Sequence, residues 1–225
     1  MKRNAYEPDL NDLPRTLPIF PLNGALLLPG GRLPLNIFEP RYLAMISNTL
    51  STSHRMFGMI QTYSHAQQND PAPKLYNVGC AGKISSFEET SDGRYLISLD
   101  GMVRFNIDEE IEEHEGYRQV NVNYDNFIHD LDIIEPDIDR TRLLSVLFEY
   151  FNLNGFTADW DAIKNCESEK LITTLSMICP LQNADKQALL EADNTSIRAD
   201  TLSTLLEMAI SGQAANIQDN VDVRH

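Results

Sequence analysis

Three cysteines, five histidines and 33 carboxylates are the side chains of this chain with the most chemical reach. Spacing decides what they can do. Cys80, Cys166 and Cys179 are odd in number, far apart and free of any C-x-x-C pair, so neither a disulfide framework nor a zinc knuckle is expected. The local patterns put Cys80 in a strand and the other two in helical stretches, where a thiol reads as a small buried apolar group in a reducing compartment. His54, His65, His114, His129 and His225 include no H-x-x-x-H or H-E-x-x-H, and no metal is expected. The nearest approach to a phosphate-cradling loop is Gly79-Cys80-Ala81-Gly82-Lys83-Ile84. Its glycine spacing is wrong, and isoleucine stands where a magnesium-binding hydroxyl belongs. Gly82 reads instead as a bulge or a close backbone approach within a strand. No serine sits in a G-x-S-x-G turn and no G-x-G-x-x-G occurs, so neither a hydrolase nucleophile nor a dinucleotide cofactor is indicated.

The remaining chemistry is charge. Eighteen basic against 33 acidic side chains give −15. Phosphate binding needs a basic footprint, so this balance opposes duplex nucleic acid as the main partner. It equally opposes an electrostatic grip on anionic membranes. A partner met through charge would be basic. Asp108 to Glu115 holds six carboxylates, and Asp130, Asp132, Glu135, Asp137 and Asp139 follow. Both stretches lack the glycine and spacing of a calcium loop and read as a solvated acidic loop and helix entry, with capture of a basic peptide as the sharper alternative. No apolar run approaches the roughly 20 residues of a spanning helix. No apolar core follows Lys2 and Arg3 as in a secretory signal, so a cytoplasmic location is expected.

The elements that must position these residues change period partway along the chain. From Pro14 to about Phe127 the pattern alternates every two residues, as in Val103, Phe105 and Ile107 against Arg104, Asn106 and Asp108. Strands are expected at Leu17–Phe20, Leu33–Phe38 and Met56–Tyr63, with a hairpin of Val78–Glu88 and Tyr95–Leu99 turning on Asp92-Gly93 through a primed turn. A helix beginning near Pro40 interrupts them, with Leu43, Ile46 and Leu50 at helical spacing. Beyond residue 130 the period becomes helical. Leu144, Leu147, Phe148 and Phe151 mark one helix, stopped at Asn154-Gly155. Leu171, Leu175 and Ile178 mark a second, Asn183 to Ala192 a third, and Leu202, Leu205, Leu206 and Ala209 a fourth, ended by Gly212. The expected architecture is α+β: a loose arm over 1–13, a β-rich domain over 14–130, a helical subdomain over 131–212 and a frayed tail over 213–225.

Leu17 to Tyr42 is unusually apolar for a stretch so full of proline and glycine, and prolines confine it to strand ends and edges. Leu17-Pro18-Ile19-Phe20-Pro21-Leu22, then Pro29-Gly30, then Leu33-Pro34-Leu35-Asn36-Ile37-Phe38-Glu39-Pro40-Arg41-Tyr42 resembles the opening of the Lon substrate-binding domain. That PUA-like module begins ATP-dependent Lon proteases and also occurs as a stand-alone protein. Phe57 to Ile60, Tyr76 to Ile84, Asp92 to Tyr95 and Leu99 to Phe105 resemble its later motifs in order. The helical remainder resembles that of short bacterial stand-alone members. The resemblance implies a PUA-like pseudo-barrel with a helical unit and a role in recognising polypeptide. The ATPase module and the serine–lysine peptidase of the full protease have no counterpart among these 225 residues, so no enzyme activity and no cofactor are expected.

Three functions stand open on this reading. The first is a non-catalytic polypeptide-binding module, an adaptor in protein quality control, meeting unfolded or basic polypeptides and a protease or chaperone. Its candidate contacts are Leu28, Leu35, Phe38 and Tyr42, each of which fits the core more readily than a contact. Glu39, Arg41 and Arg104 are polar candidates, for structure or for binding, with Arg104 on the polar face of its strand. The second is a PUA-like module for small molecules or RNA, and the third a hydrolase with an unrecognised site.

Overall fold

Alternating apolar and polar residues do produce strands through the first half of the chain. The computed structural model describes residues 10–63, 73–132 and 135–222. Within them β1 (Thr16–Pro21), β2 (Arg32–Ile37), β3 (Met56–Ile60), β4 (Val78–Glu89), β5 (Tyr95–His114) and β6 (Tyr117–Asn123) form one sheet in the order β2-β5-β4-β3-β1-β6. β1 and β3 run parallel and the other neighbours antiparallel. β5 also pairs with β6, so β1, β3, β4, β5 and β6 close on themselves as a pseudo-barrel. Closure is possible because β5 is 20 residues long. Its first half carries β2, from Arg32 opposite Asp100 to Ile37 opposite Tyr95, and its second half carries β6. Leu17, Ile19, Phe57, Leu99, Val103, Phe105 and Val120 fill the interior with no exposure. Gly82 meets both readings of it: the register slips between Ala81 and Gly82, and a Cβ there would lie 2.5 Å from Leu99 Cγ.

α1 (Pro40–Leu50) starts on its proline as expected, and Tyr42, Met45, Ile46 and Thr49 form its buried side. Two turns differ from expectation. At Asp92-Gly93 only the glycine takes positive φ, +80°, and Gly93 N–H donates to the Thr90 carbonyl. The turn is thus unprimed, with its left-handed residue placed after it. The acidic run Asp108 to Glu115 is no loop but the outer half of β5, which turns into β6 at Glu115 and Gly116 with φ of +48° and +81°. Pairing with Tyr117–Asn123 overrides the poor strand propensity of the glutamates.

The chain forms two compact units, and their membership corrects the expected boundary. Met177–Leu190 belongs with the strands, while Glu135–Ser176 and the residues from Glu191 onward form the second unit. α4 (Ser168–Ile178) therefore leaves the second unit at its last turn, and α5 (Asn183–Glu191) lies on the strand unit. Its polar heads meet strand-unit carbonyls. Lys186 Nζ donates to the Gly24 carbonyl at 2.6 Å, and Gln187 Nε2 to that of Val78 at 3.1 Å. Helical periodicity carries no information about such long-range pairings.

The second unit is helical throughout: α2 (Arg140–Asn154), α3 (Trp160–Asn165), most of α4, and α6 (Thr195–Asp222). α2 is capped by Asp139, whose carboxylate accepts from Arg142 N–H at 2.9 Å. Its buried face is Leu143, Leu147 and Tyr150, one position round from the expected Leu144, Leu147, Phe148 and Phe151. A forked ion pair from Arg142 to Glu207 at 3.0 and 2.9 Å joins α2 to α6 at this rotation. α6 runs through Gly212 to Asp222, because one interior glycine costs a helix only about 1 kcal/mol. The expected frayed tail is thus helical to Asp222, and residues 223–225 lie outside the described residues. Of the expected arm, residues 1–9 also lie outside them, Leu10–Asp12 forms one 3-10 turn, and Leu13 is buried.

Arg104, a polar candidate for structure or for binding, is 1% exposed. Its Nε donates to Asp130 Oδ2 at 2.9 Å and its NH2 to Oδ1 at 2.7 Å, while its backbone N–H also reaches Oδ2 at 3.0 Å. NH1 donates to the Leu190 carbonyl at 2.9 Å, and the guanidinium lies 4.4 Å from the Phe127 ring centre. Asp130, read from sequence as part of a solvated acidic stretch, is therefore the buried counter-charge. Arg104→Met should cost about 3–5 kcal/mol in urea unfolding, because it strands that carboxylate. Arg104→Met with Asp130→Leu should recover most of the loss, and equal losses in the single and double variants would contradict this account.

Burial also pushes the Cys179 thiol up to about 11 from an ordinary value of 9.0, with Lys186 pulling the other way. Below pH 9 both folded and unfolded thiols hold their proton, and the shift contributes nothing. Between pH 9 and 11 the unfolded chain loses its proton first, so stability falls as pH rises. Wild type should lose about 2 kcal/mol more than Cys179→Ala between pH 8.5 and 10.5 in urea unfolding. Parallel profiles would refute it.

Candidate functional site

β2 is the element that the barrel does not enclose. It has β5 on one side and no strand on the other among the described residues. Its sequence suits that place, since Pro34 has no N–H to offer a second neighbour. Arg32 pins the start of the strand with a forked pair to Asp100, Nε to Oδ1 at 2.6 Å and NH2 to Oδ2 at 3.0 Å. Beside β2 run the first half of β5 and the last half of β4, a three-stranded arm. One of its faces carries the row Leu35, Ile97 and Phe87, directly opposite one another. Phe87 is 43% exposed and meets Tyr95 edge to face at 4.9 Å. The other face carries Leu96, 40% exposed, opposite Asn36. Phe38 follows just beyond the strand, 62% exposed, with the Arg94 guanidinium 5.8 Å from its ring centre.

The candidate contacts therefore separate. Phe38 is open and Leu35 half-buried, both on the free edge. Leu28 is fully buried: its carbonyl accepts from Gly31 N–H at 2.9 Å, and no face of it is left for a partner. Tyr42 is 6% exposed, its ring 4.3 Å from that of Phe20. The motif's regular apolar spacing cannot distinguish a ring turned inward from the first turn of α1 from one left outside at the end of β2.

Glu39 and Arg41 bracket the proline that starts α1. Glu39 is the N-cap residue, yet its carboxylate caps nothing; it accepts instead from Arg41 Nε at 3.0 Å. The Arg41 guanidinium lies 4.6 Å from the centre of the Tyr42 ring. Burial raises the Tyr42 hydroxyl above its ordinary pKa, and Arg41 pulls the other way. Arg41 and Tyr42 open onto a concavity of about 220 Å³ lined also by Pro21, Asn23, Thr62, Pro73, Tyr117 and Arg118. Its polar groups are engaged with one another and their neighbours. Arg118 forks onto Glu110 at 2.5 and 2.7 Å and donates to the Pro73 carbonyl at 2.8 Å, while Asn23 Oδ1 accepts from Thr62 N–H and Oγ1 at 3.1 and 2.7 Å. Two prolines and two tyrosines make up much of the rest of the lining. It offers no nucleophile beside a base.

Elsewhere the chemistry stays muted. Cys80 and Cys179 are buried and Cys166 half-buried, and none of the three is in a disulfide. Among the described residues no group of three His, Cys, Asp or Glu could hold a metal ion, and no helix is long and apolar enough to cross a membrane. The sequence reading missed Phe87 and Leu96. Period-two alternation around Ile97 assigns them to opposite faces, but the pairing partners set Phe87 beside a buried Ile97, 3% exposed, and leave Phe87 itself and Leu96 open.

Comparison with known proteins agrees with this architecture. The family model of the ATP-dependent protease La (LON) substrate-binding domain matches residues 16–208. A Lon protease of Cytophaga hutchinsonii is 27% identical over 214 residues, covering 91% of this chain and 25% of that protein. One from Flavobacterium johnsoniae is 25% identical over 227 residues, covering 96% and 27%. The chain thus spans about a quarter of the length of these relatives. A Lon N-terminal domain protein from Xanthomonas campestris, known from its crystal structure, superposes with a TM-score of 0.59 at 22% identity, over 83% of this chain and 96% of that one. The N-terminal domain of the Mycobacterium avium complex Lon protease gives 0.60 at 15% identity, over 85% and 98%. With the family model spanning both strands and helices, this chain belongs to the Lon substrate-binding domain family.

Proposed function

We propose that this chain is a non-catalytic polypeptide-binding module and that the β2 edge is where it grips. The observation that carries this reading is the coincidence of an unpaired strand edge with exposed apolar side chains on both faces beside it: Phe38 and Leu96 on one, Phe87 on the other. An extended segment laid along β2 would gain main-chain hydrogen bonds from the edge, and its alternate side chains would lie against Leu35 and Phe38. Such recognition reads backbone and apolar spacing rather than a fixed sequence, which suits unfolded polypeptides. The family's description as a substrate-binding domain supports the same role. In it the module acts as an adaptor, presenting a bound chain to a protease or chaperone.

Nucleic acid fits less well. The arginines nearest the edge are matched by carboxylates, Arg32 by Asp100, Arg94 by Asp92 and Arg41 by Glu39, which leaves no basic footprint there.

The test is binding of a labelled, reduced and alkylated protein that stays unfolded. Phe38→Ser with Leu96→Ser should weaken binding about thirtyfold, since each lost apolar contact is worth about 1 kcal/mol. Amide exchange across Arg32–Ile37 should slow on saturation. Unchanged affinity together with unchanged exchange would exclude this edge as the site.

A further inference from the structure

The second unit carries an aromatic surface that the β2 edge does not involve. Gly155 ends α2, and Phe156 N–H donates back to the Phe151 carbonyl at 2.9 Å. Four residues later Trp160 opens α3 under an Asp159 cap. The turn gathers Phe148, Phe151, Phe156 and Trp160. The Trp160 ring lies 5.1 Å from Phe148 and 5.8 Å from Phe151, and Phe156 lies 5.7 Å from Phe151. The same helix buries Leu143, Leu147 and Tyr150, and the Tyr150 ring lies 6.2 Å from Phe156 and 6.4 Å from Phe151 at the base of the cluster. Phe148 stays 51% exposed and Phe156 43%. A contiguous open cluster of this kind marks an interaction surface.

Charge tells what covers it. Glu149 follows Phe148, and Asp159 and Asp161 flank Trp160, all three exposed. Lys164 is the single basic residue between Phe148 and Asn165. Ring faces are the negative part of an aromatic side chain and attract cations, Trp most strongly. Carboxylates beside them add the same sign. An acidic peptide or an anionic lipid surface would meet repulsion from both.

We infer that this cluster docks a basic polypeptide segment, whose arginine or lysine side chains lie on the Trp160 and Phe148 rings with their charge met by Glu149 and Asp161. The inference is independent of the β2 edge, and variants of one site leave the other intact.

Trp160 is the one tryptophan of the chain, so its emission reports occupancy. The full chain is titrated with a dodecapeptide of Arg-Leu-Gly repeats and with its Glu-Leu-Gly counterpart. The arginine peptide should change Trp160 emission saturably, bind about tenfold tighter than the glutamate peptide, and weaken severalfold as salt rises. By anisotropy of the labelled arginine peptide, Phe148→Ala with Phe156→Ala should cost about tenfold. Glu149→Gln with Asp161→Asn, which spares every ring, should cost about threefold, with circular dichroism confirming that each variant folds. Equal affinity for the two peptides, or full affinity in both variants, would overturn the inference. So would self-association of the chain that the ring variant alone abolishes, which would make a second copy the occupant.

Discussion

A guanidinium taken out of water must find acceptors for its donors and a counter-charge for itself, and Arg104 finds them on segments far away in sequence. Asp130 supplies the charge after the last strand has ended, Leu190 supplies a carbonyl from α5, and Phe127 supplies a ring face. The arrangement fixes where the chain must run after the barrel closes. The 3-10 segment Asp125–Leu131 is held against β5, and Leu190 is drawn back onto the strand unit after the chain has passed through the other. A buried pair of this kind is a poor source of net stability but a strong constraint on arrangement, because each alternative packing strands a charge.

Closure of the barrel and openness of its edge have one cause. β5 is long enough to serve two sets of neighbours, so its second half completes the ring through β6 while its first half extends outward with β4 and β2. Interior positions of the ring fill with leucine, valine and phenylalanine. Along the extended arm Ile37 and Ile97 are still buried, while Phe87 and Leu96 stay in contact with solvent. The forked Arg32–Asp100 pair then holds the outermost strand in register without shielding it. Edges of this kind invite unwanted pairing, and Pro34 together with the charged residues around the arm limits it.

How much of this was legible in the residues depends on whether the information was local. Strand alternation, the proline start of α1 and the glycine stop of α2 are short-range signals, and each element stands where they put it. The motifs of Leu17 to Tyr42 were specific enough to indicate the family. What failed was set by distant partners. Alternation places Arg104 on the polar face of its strand, and nothing near it in sequence announces Asp130 or Leu190. The glutamates after Asp108 looked like a loop until β6 claimed them as a strand. Tyr42 and Phe38 belong to one apolar string, yet one ring is buried and the other open, a distinction made by the turn between β2 and α1. Phe148 was assigned to the core on correct periodicity and the wrong phase.

The return of Met177–Leu190 to the strand unit has a bearing on how the molecule is made. Synthesis proceeds from the N-terminus, and domains commonly fold as they emerge. Here the six strands leave the ribosome well before Lys186, Gln187 and the Leu190 carbonyl, which complete their hydrogen bonding. Until those residues arrive, the nascent barrel holds Arg104 with one acceptor missing and Gly24 and Val78 with bare carbonyls. Its hydrogen bonding is completed by a helix that begins 60 residues downstream of the last strand.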